Sequence, residues 1–163
     1  MDHIDVAQID RAGIEVRHKI AIADCVMAWG AFDAHLRALL TSIDGRDLSA
    51  GAADYDKLWT QVAWTKLLQR LRDKGAPAES LAKVRAHKKA YSRHVEARNI
   101  MAHSGCVGVW ARDRDYLVFA PFEAHKPGQM AIVCQPVSVI EQSTAWATAF
   151  SEMAHSIMTR LGY

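Results

Sequence analysis

The chain lacks any apolar run near the roughly 20 residues that a bilayer-spanning helix requires, so no membrane span and no membrane partner are expected. Its three cysteines, Cys25, Cys106 and Cys134, are an odd, widely spaced set without a C-x-x-C pair. That spacing argues against a disulfide framework or a cysteine-rich zinc site and leaves reduced, mostly buried thiols. P-loop glycines, G-x-S-x-G and H-E-x-x-H are all missing, so P-loop hydrolysis, serine-hydrolase chemistry and zinc proteolysis have no support. No internal repeat or low-complexity tract occurs. The opening Met1-Asp2-His3-Ile4-Asp5 is acidic and lacks the basic patch and apolar stretch of a secretory signal, so a cytoplasmic location is expected.

What is present is ordinary globular composition. At 163 residues, half of them apolar and 23% charged, the chain fits one domain over residues 1–163, large enough to bury roughly two-thirds of the surface its unfolded form exposes. The net charge of +2 hides an asymmetry. Residues 57–98 hold eleven Lys and Arg against Asp73, Glu79 and Glu96, a local net of +8 that leaves −6 elsewhere. A basic surface follows from this, although solvated helical faces account for the charge equally simply.

Hydrophobic period organises most of the chain. The first fifteen or so residues have no sustained period and are unassigned. Over about 17–43, Ile22, Val26, Trp29, Phe32, Leu36, Leu39, Leu40 and Ile43 recur at three and four, which predicts a long helix with one apolar face. Asp44-Gly45-Arg46-Asp47 ends it, and residues 48–54 read as a loop. A second helix is predicted over about 56–74, with Leu58, Val62, Leu67, Leu68 and Leu71 inward and Gly75 at its end. A third spans about 78–102, carrying Leu81, Val84, Tyr91, Val95 and Met101 on one side while Lys83, Arg85, Lys89 and Arg93 project elsewhere. His103-Ser104-Gly105 reads as its end.

Short β-favouring runs follow at 107–110, 116–119 and 130–134, separated by Arg112-Asp113-Arg114-Asp115 and by Lys126-Pro127-Gly128. Two or three antiparallel strands are expected. Ser138-x-x-Glu141 has the form of a capping box and opens a last helix through Ile140, Ala147, Phe150, Ala154, Ile157 and Leu161. The expected fold is therefore mainly α: a helical bundle of four long helices, with a small antiparallel β-hairpin at about 107–135 inserted before the last helix. Bundles build sites from side chains on facing helices, but the fold alone names no function.

The chemistry concentrates at the end of the third helix, Glu96-Ala97-Arg98-Asn99-Ile100-Met101-Ala102-His103-Ser104-Gly105. RNA cleavage without a metal needs a base for the 2′-hydroxyl, an acid for the leaving 5′-oxygen and a cationic donor for the phosphorane. An imidazole such as His103 serves as base or acid, and proton transfer of this kind contributes ~10²–10⁴-fold. Arg98 supplies permanent charge and a planar fork for two phosphate oxygens. On an ideal helix the two lie about 140° and ~7.5 Å apart, so they converge only if His103 sits at a frayed or capped end. The plainer alternatives are that Arg98 caps carbonyls and that His103 simply favours the negative end of the helix dipole.

Arg-Asn, three residues, then His resembles the R-x4-6-H motif of the HEPN family. The aromatic-rich Ala28-Trp29-Gly30-Ala31-Phe32-Asp33-Ala34-His35-Leu36-Arg37-Ala38-Leu39-Leu40 is similar to the first long helix of uncharacterised bacterial members, and the helix order agrees over most of the chain. The resemblance implies a metal-independent endoribonuclease, without cofactor, whose composite cleft pairs Arg98 and His103 from two protomers of a homodimer. It further implies that Asn99 orients the histidine or holds a phosphate, and that Asp33 pairs with Arg98. Lys88, Arg93 and His94 on the basic segment are the expected RNA contacts. A toxin, defence or RNA-processing setting is implied, with an antitoxin as a second partner. Gly105 replaces the Tyr that some members carry two positions after the histidine, a departure from toxins paired with nucleotidyltransferase antitoxins. The other reading is a non-catalytic HEPN module that binds nucleotide, RNA or a protein partner. A metal site at His87 and His94 has no nearby acidic or cysteine partner, which leaves them as solvated or RNA-facing histidines. Trp110, Tyr116 and Phe119 pack on a bundle face or, alternatively, stack on bases.

Overall fold

A computed structural model describes residues 6–47, 55, 59–121, 132–160 and 162. The expected loop at 48–54, the inward Leu58, the turn at Lys126-Pro127-Gly128, the start of the run at 130–134 and Leu161 fall outside the described residues. Helices dominate: α1 (Val16–Ile43), α2 (Thr60–Asp73), α3 (Ala78–His103) and α4 (Val137–Arg160). Strands β1 (Ile9–Asp10), β2 (Ser104–Trp110), β3 (Asp113–Pro121) and β4 (Val133–Pro136) form one antiparallel sheet in the order β1-β2-β3-β4. Two features correct the sequence expectation. The β element is a four-stranded sheet, not a lone hairpin, and α2 is only 14 residues long among the described residues. No helix of the described residues is long and apolar enough to cross a membrane.

The chain divides into two compact units, Met1–Met27 with His94–Ala145, and Ala28–Arg93 with Trp146–Tyr163. The first holds the sheet. Its extra strand comes from the stretch that shows no period in the sequence: Ile9 pairs with Trp110 and Asp10 with Val109, and the Ala111 amide extends the ladder to the Gln8 carbonyl at 2.8 Å. Two residues carry no readable alternation, so this strand exists because β2 offers it an edge. Gly108 makes the approach possible. It sits beside a bulge in β2 at φ +158°, and a Cβ there would lie 2.7 Å from the Asp10 carbonyl oxygen.

Strand limits also shift outward from the β-favouring runs. β2 begins at Ser104, directly after α3, because Ser104 and Gly105 already pair with Pro121 and Ala120. The separator at 112–115 is mostly strand, since the turn occupies Ala111 and Arg112 and β3 starts at Asp113. Likewise β4 runs straight into α4 at Val137, which places Ser138 inside the first turn and not at the cap its sequence pattern suggests. Buried residues of this unit include Val109, Leu117, Val118, Phe119, Ile140 and Ala97. On α1 the buried positions are His18, Ala21 and Cys25, whereas Val26 of the expected apolar face is exposed and Ile22 half-buried.

The second unit follows the sequence more closely. Trp29, Phe32, Leu36, Leu39, Leu40 and Ile43 are all buried along α1. α2 buries Ala63, Trp64, Leu67, Leu68 and Leu71 but leaves Val62 exposed. Phe32 lies at the centre of an aromatic cluster, with ring centroids 4.8 Å from Phe150, 5.0 Å from Trp29, 5.3 Å from Trp146 and 5.9 Å from Trp64. Each such pair adds about 0.5–1.5 kcal/mol beyond the area it buries. Both turn glycines act as expected. Gly45 and Gly75, each at φ +68°, close Schellman motifs in which Arg46 and Ala76 donate to the Thr41 and Leu71 carbonyls, and the glycine amides donate to Ser42 and Arg72.

Candidate functional site

α3 carries the candidate residues because its last turns remain helical up to the point where β2 pairing takes over. The helix is continuous from Arg98 to His103, and His103 is its final residue. Within one chain, five regular helical positions separate the two side chains by about 140° and ~7.5 Å, so the fold does not bend the imidazole back toward the guanidinium. The end expected at Ser104-Gly105 is a strand instead of a loosened turn. His103 is exposed and has no hydrogen-bond partner among the described residues, and it lies where the helix dipole is negative.

Arg98 is half-buried. Its Nη1 donates to Oδ1 of exposed Asn99 at 3.1 Å, and it makes no ion pair among the described residues. Among the described residues nothing compensates the guanidinium charge, and a guanidinium carries four further N–H donors beyond the one given to Asn99. Arg98 also acts on Cys25, whose thiol is pushed up mainly by burial and drawn partly back by Thr144, Ser143 and the Arg98 charge. Two interactions hold this part of α3. Ser143 Oγ on α4 donates to the His94 carbonyl at 2.8 Å, and Cys25 Sγ on α1 lies 3.9 Å from the same hydroxyl. No sequence signal marks Ser143, because its partners lie 49 and 118 positions away.

The other candidates fall in both units. Asp33 is half-buried on α1 in the second unit, and Arg98 belongs to the first. Lys88 donates from Nζ to Thr65 Oγ1 at 3.0 Å, so it is partly committed within its own unit. Arg93 is exposed together with Lys83, Arg85 and Lys89, whereas His94 is half-buried. His87 is half-buried: its ring packs 5.8 Å from Trp146 and 6.1 Å from Phe150, with Nδ1 3.2 Å from the Lys83 carbonyl oxygen. No cluster of three potential metal ligands exists among the described residues. Phe119 is buried and belongs to the core, while Trp110 and Tyr116 pack edge to face at 5.9 Å.

A second polar system, which the sequence does not announce, fastens the N-terminal arm to the sheet. Arg17 bonds Glu15 at 3.0 Å and Asp115 at 2.5 Å, and Arg114 reaches Asp10 and Glu15 at 3.4 Å. Beside it lies a cavity of about 360 Å³ lined by Arg17, Asp113, Asp115, Tyr116, Ser138 and Glu141 among others. The acidic bias of that cavity disfavours a phosphate. His18 sits behind the arm, fully buried, with Nδ1 accepting from the Glu15 amide at 3.0 Å and no partner for Nε2 among the described residues. Comparison of the chain with protein-family models, curated proteins and solved structures finds no match.

Proposed function

We propose that the protein is a metal-independent endoribonuclease of the HEPN type, acting as a homodimer in which Arg98 binds the scissile phosphate and His103 moves the proton. The observation that carries this reading is the state of the two groups on the last turns of α3: among the described residues, the half-buried guanidinium makes no ion pair and the exposed imidazole has no hydrogen-bond partner. An unpaired cation held by a neutral neighbour suits an anion that arrives from solution. Asn99 then fixes the guanidinium fork. Arg93 and the exposed cations before it on α3 attract the RNA backbone, and His94 and Lys88 support that surface.

Because the helix stays regular, one chain does not bring Arg98 and His103 together, and the reading requires a second copy to complete the site. The same regularity favours the runner-up, a non-catalytic HEPN module that binds nucleotide, RNA or a protein partner, in which Arg98 is an anion contact and His103 a surface residue. Toxin, defence or RNA-processing roles, with an antitoxin as regulator, belong to the first reading.

Purified protein incubated with mixed RNA in EDTA separates the two. The ribonuclease reading predicts products with 2′,3′-cyclic phosphate ends, absent with Arg98→Ala and with His103→Ala. An equal nuclease background in all three preparations, with RNA binding weakened only by Arg98→Ala, supports the binding module.

A further inference from the structure

The tight turn between α2 and α3 leaves a gap in the second unit. Gly75 reverses the chain at φ +68°, and Pro77 directly precedes the first residue of α3, so only the methyl group of Ala76 stands between them. Beside this turn opens a cavity of about 270 Å³, lined by the buried Ile43 and Leu71 and by Ala76, Pro77 and half-buried Ile157. All of its lining residues belong to the second unit. A cavity of about 150 Å³ takes a benzene ring, so this one takes an apolar body of about eight to ten carbons.

The charges on this cavity are of one sign. Lys74, at the C-cap of α2, and Arg160, the last residue of α4, both line it, and no carboxylate does so among the described residues. Both cations are exposed, and neither forms a salt bridge among the described residues. Ser80 adds a half-buried hydroxyl that makes no hydrogen bond among the described residues. An adjoining cavity of about 200 Å³ shares Ser80, Ile157 and Arg160 and adds Glu79, which Lys83 pairs at 2.7 Å. That carboxylate disfavours an anion on its side and directs one toward the cavity that Lys74 lines. Apolar walls with cations at their edge match an amphipathic anion. A guanidinium fork suits a carboxylate, which it binds through two parallel hydrogen bonds. A nucleotide fits less well, because Ile43, Leu71, Ala76, Pro77 and Ile157 offer no side-chain donor or acceptor to a base edge or a ribose hydroxyl.

We infer that this cavity binds a small amphipathic carboxylate of the medium-chain fatty acid class, with its head on Arg160 and Lys74 and its chain against Ile43, Leu71 and Ile157. Ser80 donates a further hydrogen bond to the head. The site shares no residue with the ribonuclease reading and stands whether or not RNA is cleaved. For a ligand of about ten non-hydrogen atoms, a dissociation constant on the order of 0.1–1 mM is expected.

Titration of the full chain with sodium octanoate, followed through the amide signals in two-dimensional NMR, tests the assignment. Octanoate should give saturable shifts concentrated at Gly75, Ala76, Ser80 and Ile157. Arg160→Gln should weaken binding about tenfold or more, the effect of losing a hydrogen bond to a charged group. Ala76→Leu, which fills the cavity without changing its charge, should weaken it at least as much. Octanol, which lacks the head, should bind at least tenfold more weakly than octanoate, and acetate, which lacks the chain, should not saturate. Four results would overturn the inference: shifts that do not saturate or that cluster on other residues, an Arg160→Gln variant that binds like wild type, acetate as tight as octanoate, or octanol as tight as octanoate. The wild-type shifts and the two control ligands locate and define the site on their own, so the test stands even if a variant does not fold.

Discussion

Arg98 is held by Asn99, its immediate neighbour, through a 3.1 Å bond from Nη1 to the side-chain oxygen, and no carboxylate among the described residues competes for it. A neutral acceptor orients the fork without neutralising it. A carboxylate in the same place would occupy the charge that a phosphate needs. Asn99 is exposed, so its removal should hardly touch the fold. Asn99→Ala is expected to leave stability within about 0.5 kcal/mol of wild type. It should lower RNA cleavage by about tenfold, the size of one hydrogen bond to a charged group. Thermal melting and initial cleavage rates, measured on the same preparation, check both halves.

Ser143 ties α4 to α3 one turn before Arg98, through the His94 carbonyl. Ser143→Ala removes the donor but leaves that carbonyl in its helix, so the expected cost is one ordinary hydrogen bond, about 1 kcal/mol. A urea titration that shows a lower midpoint at unchanged slope agrees with this. An unchanged midpoint shows that the bond contributes nothing.

The arm that precedes α1 should weaken in acid. The hydrogen bond from Arg17 holds the Glu15 carboxyl below its ordinary range, and Asp115 and Glu15 together raise the Arg17 guanidinium. A depressed carboxyl stabilises the fold above its unfolded value, and that contribution is lost as pH falls through the folded value. Both side chains are exposed, so the effect is local and screened by salt. Urea midpoints of wild type and Arg17→Ala, followed from about pH 6 to 3, should converge as the pH drops, because protonation removes what the substitution removes. A constant gap would show that Glu15 is not the titrating partner.

Gly108 is the narrowest point of the sheet. Gly108→Ala places a methyl group 2.7 Å from the Asp10 carbonyl oxygen and Ile9 Cγ2, so β1 must move off β2. A loss of about 1–3 kcal/mol is expected, the range of an overpacked site. Hydrogen exchange should locate it. The Ala111 amide, bonded to the Gln8 carbonyl, should exchange faster while the β2 to β3 ladder keeps its protection.

Local patterns carried the second unit and failed in parts of the first, for physical reasons. From Trp29 to Ile43 the buried face of α1 consists of large apolar residues, so period alone finds it, and the glycines that end α1 and α2 announce themselves by needing positive φ. Nearer its start the same helix buries His18, Ala21 and Cys25 and exposes Val16, Ile20, Val26 and Met27. Hydrophobicity points the wrong way there, because burial is set by distant residues such as Ser143 and not by composition. β1 is invisible for a similar reason, being two residues whose ladder partners, Trp110 and Val109, lie far along the chain. The position of Arg98, Asn99 and His103 on the last turns of α3 was readable from the helical period, although the chain continues as β2 and not as the turn that Ser104-Gly105 suggests.

The most direct test of the account is the cleavage rate of a mixed RNA in EDTA at saturating protein, for wild type, Arg98→Ala and His103→Ala. Loss of the imidazole is expected to cost ~10²–10⁴-fold, the usual contribution of a proton-transfer group. Loss of the guanidinium should cost about 10²-fold or more, the usual contribution of one donor to a charged transition state. Rates within about twofold of wild type for either variant, well below any proton-transfer or charge-stabilising contribution, would contradict a cleavage site built on these two residues.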